Sequence, residues 1–210
     1  MPSPITHIVL AEKVFDKHFS QKNKADFFVG TSLPDIRRFN NIDRDKTHFF
    51  GLKLEDIKKE DSFLAGFKFH SLTDEVHDRF FSYKDNPLFL EPVQIMATSL
   101  KALEDELLYD RLSNWLEVAS YFRRTIKEEN DLGLGKEDIA TWHEALEAYL
   151  LETPSFKSRE RFLKTMEFSD ELADQIEAFV INMRKVPQIE RTVMDFYNGF
   201  DDLIEKPIDF

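Results

Sequence analysis

His70, Asp74 and His77 are spaced four and three residues apart within residues 63–81, Phe-Leu-Ala-Gly-Phe-Lys-Phe-His-Ser-Leu-Thr-Asp-Glu-Val-His-Asp-Arg-Phe-Phe. Apolar residues recur there at helical spacing, which predicts a helix over about 62–82. At about 100° per residue the three side chains fall on one narrow stripe with Phe63, Phe67 and Phe81. Lys68, Ser71, Glu75, Asp78 and Arg79 take the solvent face. A carboxylate and two imidazoles aimed into a phenylalanine-rich interior need partners. Two arrangements supply them: a buried hydrogen-bonded His–Asp pair, or a metal ion, which suits this donor set. The chain has no cysteine. Disulfides and thiolate sites are therefore excluded, and any metal must be held by His, Asp or Glu.

Other residues able to do chemistry lie nearby in the chain. Ser3-Pro4 opens a first helix running to about Phe19, with His7 in its first turn. A short helix from Asn23 to Ser32 stops at Leu33-Pro34, and Asp35 follows at once. Thr47-His48-Phe49-Phe50 ends the loop that Asp35 begins, so Asp35 and His48 bracket a long loop of the kind that often carries function. The loop arginines Arg37, Arg38 and Arg44 read as solvated charges. His18, near a helix C-terminus, suits the helix dipole and reads as structural. His143 and Glu147 have ligand-pair spacing, but on a glutamate-rich helix that arises easily by chance.

The elements that must position these groups are helices. Glycine (6) and proline (8) are scarce, phenylalanine is abundant (21 residues), and no stretch alternates β-branched residues. The chain of 210 residues therefore predicts one all-α domain of about eight helices, with a metal-site half over 1–83 and a helical scaffold over 88–210. One continuous helix is expected from about Asp110 to Glu129. A formal net charge of -12 argues against general nucleic-acid binding and against anionic membranes. No apolar run is long enough for a membrane span, and the N-terminus lacks the pattern of a signal peptide, so a cytoplasmic location is expected.

Four short motifs occur in order: Thr6-His7, Gly30-Thr31-Ser32-Leu33-Pro34-Asp35, Thr47-His48-Phe49, and Gly66-Phe67-Lys68-Phe69-His70-Ser71-Leu72-Thr73-Asp74. This order resembles the zinc-dependent phospholipase C family, whose superfamily includes the P1-type nucleases. The resemblance covers about residues 1–80. It implies that fold, one to three zinc ions, and a small phosphorylated or phospholipid-type substrate. It implies that Asp35, His48, His70 and Asp74 hold the central ions, with Asp74 bridging two of them and His7 on one. His77 stands in for a further family histidine, and Asp35 for the catalytic base. Two departures are plain. An initiator Met and Pro2 stand where the secreted enzymes use a processed amine as ligand, and the family's later His-(x)3-Glu pair has only the distant His143 and Glu147 to match it.

The function expected on these grounds is zinc-dependent hydrolysis of a phosphate ester or phosphodiester. Two alternatives stand beside it. One is a non-catalytic helical protein with a structural or vestigial metal site. The other is an HD-type metal phosphohydrolase, which would use the adjacent His77-Asp78 pair.

Overall fold

Residues 3–38, 42–81 and 93–206 are described by a computed structural model. They form eleven α-helices: α1 (Pro4–His18), α2 (Lys24–Ser32), α3 (Leu54–Ile57), α4 (Ser62–Phe81), α5 (Val93–Leu108), α6 (Trp115–Ser120), α7 (Lys127–Asp131), α8 (Lys136–Leu150), α9 (Phe156–Thr165), α10 (Asp170–Met183) and α11 (Pro187–Glu205). No strand occurs among the described residues, as an all-α chain requires. Residues 82–92, with the turn residues Asp85-Asn86-Pro87, and the side chain of Arg38 lie outside the described residues.

The helix count is eleven rather than about eight, because α3, α6 and α7 are extra short helices of 4, 6 and 5 residues. The single helix expected over 110–129 is not formed. Trp115 stacks on Tyr109 at 4.7 Å and 9°, and its indole N–H donates to the Tyr109 carbonyl at 3.1 Å. That contact folds the chain back on itself. Arg124 and Ile126 are extended, and they separate α6 from α7.

Helix α4 lies at the centre. Thirteen of its residues are buried, from Phe63 to Phe81, and they cover most of its circumference. A helix buried nearly all round is an interior helix, not an amphipathic surface one. Phe69 is fully buried and meets Phe27 of α2 (5.5 Å between ring centroids), Phe19 (5.7 Å) and Phe200 of α11 (6.2 Å). Each such buried ring contributes about 1.5–3 kcal/mol relative to an exposed one. On α11 the buried residues Ile189, Val193, Phe196, Phe200 and Ile204 form one stripe at helical spacing, which is how this C-terminal helix docks. No helix among the described residues is long and apolar enough to cross a membrane.

The pairing of α2 with α4 sets the register of the site. Asn23 caps α2 by accepting the Asp26 N–H (3.0 Å), and its own N–H donates to Ser62 Oγ at the start of α4 (2.8 Å). One residue before its end, α2 presents the Thr31 carbonyl to His70. Both links join residues 39 apart, so the two helices run parallel. They approach backbone to backbone at two glycines. A Cβ on Gly30 would lie 2.1 Å from the Phe63 carbonyl oxygen, and one on Gly66 would lie 1.9 Å from that of Phe27. Only glycine permits that approach.

Candidate metal centre

Each ligand candidate is placed by a local device. On α1, Ser3 makes no side-chain cap; the buried Asp105 of α5 does that work instead. Asp105 Oδ1 accepts the Thr6 N–H (2.9 Å), the Thr6 hydroxyl (3.0 Å) and the Ser3 hydroxyl, while Oδ2 accepts the Tyr149 hydroxyl (2.9 Å). Burial pushes the Asp105 carboxyl up to about 6 against these donors, so it is largely ionised at neutral pH. It fixes the turn that carries His7. Asp35 sits in the 3-10 turn Leu33–Arg38 that continues α2 past Pro34. His48 follows the one-turn 3-10 helix Arg44–Lys46, and its N–H donates to the Arg44 carbonyl at 2.8 Å. His70 and Asp74 lie one turn apart on α4.

These five side chains converge. His7, His70 and Asp74 offer ligand atoms within 4.8 Å of one another, as do Asp35, His48 and His70, and all five residues are buried. The Nε2 atoms of His7, His48 and His70 lie 3.3, 3.4 and 3.7 Å from the Asp74 carboxylate. His7 contacts Oδ1, whereas His48 and His70 contact Oδ2. The His7 and His70 rings stack at 3.9 Å and 13°.

The outer hydrogen bonds assign the protons. Nδ1 of His70 lies 2.8 Å from the Thr31 carbonyl, which can only accept, so Nδ1 carries the hydrogen and Nε2 a lone pair. The Thr47 hydroxyl donates to the Arg44 carbonyl (3.3 Å), so His48 Nδ1 donates to Thr47 Oγ1 (2.8 Å), and His48 Nε2 is likewise bare. Both rings thus turn lone pairs toward a carboxylate. Those three Nε2 atoms and both Asp74 oxygens are buried and make no hydrogen bond. Acceptors facing acceptors away from water is unfavourable unless a cation lies between them. For His48 and His70 a hydrogen-bonded His–Asp pair does not describe this geometry. Two donors each about 2.1 Å from a tetrahedral zinc ion sit about 3.4 Å apart, which is the spacing observed. The buried His/Asp groups could therefore hold a metal ion, and the outer hydrogen bonds from Thr31 and Thr47 are of the kind that orient metal-bound imidazoles.

The electrostatics agree. Burial, and next the His7 ring, push His70 down to about 3 despite the pull of Asp74, so the ring is neutral at neutral pH, the form that ligates. Burial alone would raise Asp74, yet among the three imidazoles its carboxyl lies well below the usual carboxylate range. It is a carboxylate at any ordinary pH.

His77 does not join the cluster. Its Nε2 pairs with the fully buried Glu104 of α5 at 2.8 Å, and its Nδ1 lies 3.5 Å from the exposed Asp78. The stripe on α4 carries His77 a further turn along the helix, where α5 and not the cluster faces it. His77→Ala should lower stability by about 1–3 kcal/mol, because Glu104 keeps its burial and loses its 2.8 Å hydrogen-bond partner. It should leave metal content unchanged. Urea unfolding together with metal analysis checks both outcomes. Ser71, expected on the solvent face, is buried and accepts the Phe49 N–H at 3.1 Å, which ties the His48 loop to α4. His143 and Glu147 are also elsewhere: His143 pairs with Glu129 at 2.7 Å, and Glu147 with Arg123 at 2.7 Å. His18, its side chain only 4% exposed, lies 3.7 and 3.6 Å from Asp201 and Glu205 of α11.

Two features escape the sequence reading. Glu104 and Asp105 are fully buried acids interrupting the apolar run Leu100, Leu103, Leu108, and that interruption is the signal that could have found them. Arg44 is not simply a solvated charge: its Nη2 reaches within 3.6 Å of Asp74 Oδ2.

A cleft opens beside the cluster, and Asp35 stands in its wall. Its lining is mainly apolar, with Trp142, Tyr149, Phe162, Leu163 and Met166, and Asp105 also borders it. No family model, curated protein or solved structure matches this chain.

Proposed function

We propose that this chain is a zinc-dependent hydrolase of phosphate esters or phosphodiesters, similar to the zinc-dependent phospholipases C. The observation that carries the reading is the convergence of three imidazole Nε2 atoms on Asp74 at 3.3–3.7 Å, those of His48 and His70 presenting lone pairs to it. Five residues matching the family's motifs meet in one place. His70 Nε2 belongs to both ligand sets, and its Nδ1 is committed to Thr31, so it serves one ion. The two Asp74 oxygens face different imidazoles, which suits a carboxylate shared between two ions.

Zinc bound here would supply an activated water and charge withdrawal from phosphoryl oxygens. The chain's residues do the rest. His70 and His48 are pre-oriented by Thr31 and Thr47, so little rearrangement is needed on binding. Asp35 belongs both to the cluster and to the cleft wall, which places it to take the proton of an attacking water. The apolar cleft wall suits the organic part of an ester. A purely structural site is favoured when it is closed on all sides, and the cleft at Asp35 speaks against that. An HD-type centre would bring Asp78 to an ion with His48, whereas Asp78 is exposed and Asp74 lies inside.

Hydrolysis of bis-p-nitrophenyl phosphate by zinc-loaded protein tests the proposal. Asp35→Asn should lose about 10²–10⁴-fold in kcat, the usual worth of a positioned base. Turnover in Asp35→Asn and Asp74→Ala equal to wild type would refute it.

A further inference from the structure

We infer that Arg44 is the anion-receiving residue of this centre, taking an oxygen of the substrate's tetrahedral oxyanion at the mouth of the cluster; the inference rests on the phosphate-ester reading above. The site has an electrostatic difficulty. The chain carries a net charge of -12, and Asp35 and Asp74 add negative charge at the centre itself. Bound ions would offset the two carboxylates at the centre, while the surrounding negative field still opposes a phosphate ester unless some cation stands at the entrance.

Arg44 is placed to be that cation. Its side chain is 38% exposed, while Asp74 beside it is 4% exposed, so the guanidinium spans from solvent to the buried carboxylate. Its Nη2 stands 3.6 Å from Asp74 Oδ2, which is an ion pair but too long for a hydrogen bond. Its Nε makes no hydrogen bond. A guanidinium has five N–H donors in a planar fork, and that fork matches two oxygens of a phosphoryl group. The Asp74 contact leaves most of those donors for a ligand.

The backbone holds Arg44 in step with the centre. Its carbonyl accepts the N–H groups of Thr47 (3.0 Å) and His48 (2.8 Å), and the Thr47 hydroxyl at 3.3 Å. Arg44 and His48 therefore belong to one hydrogen-bonded turn, and the cation cannot shift far without moving a ligand candidate. Its immediate neighbours Asp43 and Asp45 are exposed acids. The arginine that lines the cleft itself is already neutralised: Arg159 is paired with Glu106 and Glu177. Arginine rather than lysine suits the role, because a fork orients an oxyanion where a point charge only attracts it.

Calorimetric titration with inorganic phosphate tests the inference, on wild type, Arg44→Gln and Arg44→Lys, each with its metal content measured first. The expected result is that Arg44→Gln keeps its metal and its melting temperature but binds phosphate about 10- to 100-fold more weakly, as loss of a charge-assisted hydrogen bond implies. Arg44→Lys should recover part of that affinity. Unchanged phosphate affinity in a metal-replete Arg44→Gln overturns the inference. So does loss of metal in that variant, because Arg44 would then act only as a brace on Asp74. If wild type carries no metal, the hydrolase reading fails separately. The same titration on the metal-free protein then decides Arg44: weaker binding in Arg44→Gln upholds its anion role, and equal binding overturns it.

Discussion

Gly66→Ala should destabilise the protein by about 2–4 kcal/mol and weaken its metal binding about 10- to 100-fold, although it replaces the poorer helix former with the better one. In an open helix the change would gain up to about 1 kcal/mol. At Gly66 the added methyl would meet the Phe27 carbonyl oxygen at 1.9 Å and the Thr31 backbone nitrogen at 2.9 Å, both rigid main-chain atoms of α2. Relief requires α2 and α4 to separate by more than 1 Å. That separation stretches the 2.8 Å bond from His70 Nδ1 to the Thr31 carbonyl and carries Asp35, one turn further on, away from the cluster. Gly199→Ala is the matched control. It lies within α11, and a Cβ there meets nothing within 4 Å. That variant should be as stable as wild type or up to about 1 kcal/mol more stable. Denaturant melts of the two variants, with metal titrations, separate steric clash from propensity. Equal stability in both would contradict the close approach.

Chelation should lower the melting temperature of the native protein by roughly 8–16 °C, and should lower that of Asp74→Asn by much less. An ion at about 1,000 times its dissociation constant stabilises by about 4 kcal/mol. In a chain of this length each kcal/mol is worth roughly 2–4 °C. The coupling is strong because the apo site leaves His48 Nε2, His70 Nε2 and both Asp74 oxygens buried with no hydrogen bond. Asp74→Asn removes the carboxylate that all three imidazoles face, so a chelator has much less to withdraw. Thermal scans with and without EDTA check this. An equal drop in Asp74→Asn would mean that the ion sits elsewhere.

Local pattern made part of this site legible. His70 and Asp74 are one helical turn apart on a phenylalanine-rich stretch, and period alone puts them together and inside. Asn23 and Pro34 mark the ends of α2 by capping and by the exclusion of proline from helix interiors. His77 shows the limit of such reasoning. Angular position on a wheel says which way a side chain points, not which neighbour waits there, and the neighbour is Glu104 from a helix 27 residues away. Arg44 illustrates the same limit from the other side. Polar loop composition predicts solvation, but the turn that carries His48 also swings Arg44 onto Asp74. The split of 110–129 into short helices depends on one aromatic contact, Trp115 on Tyr109, that no periodicity encodes. The glycines Gly30 and Gly66 are visible in the sequence, yet their purpose appears only when two backbones are seen to touch.

The central claim is that His7, Asp35, His48, His70 and Asp74 hold metal. The most direct measurement is the metal content, by elemental analysis, of protein purified without added metal, compared with Asp74→Ala and His70→Ala prepared alongside. The account predicts at least one equivalent of zinc or a similar divalent ion in wild type and a large loss in both variants. Wild type carrying no more metal than the variants would contradict it.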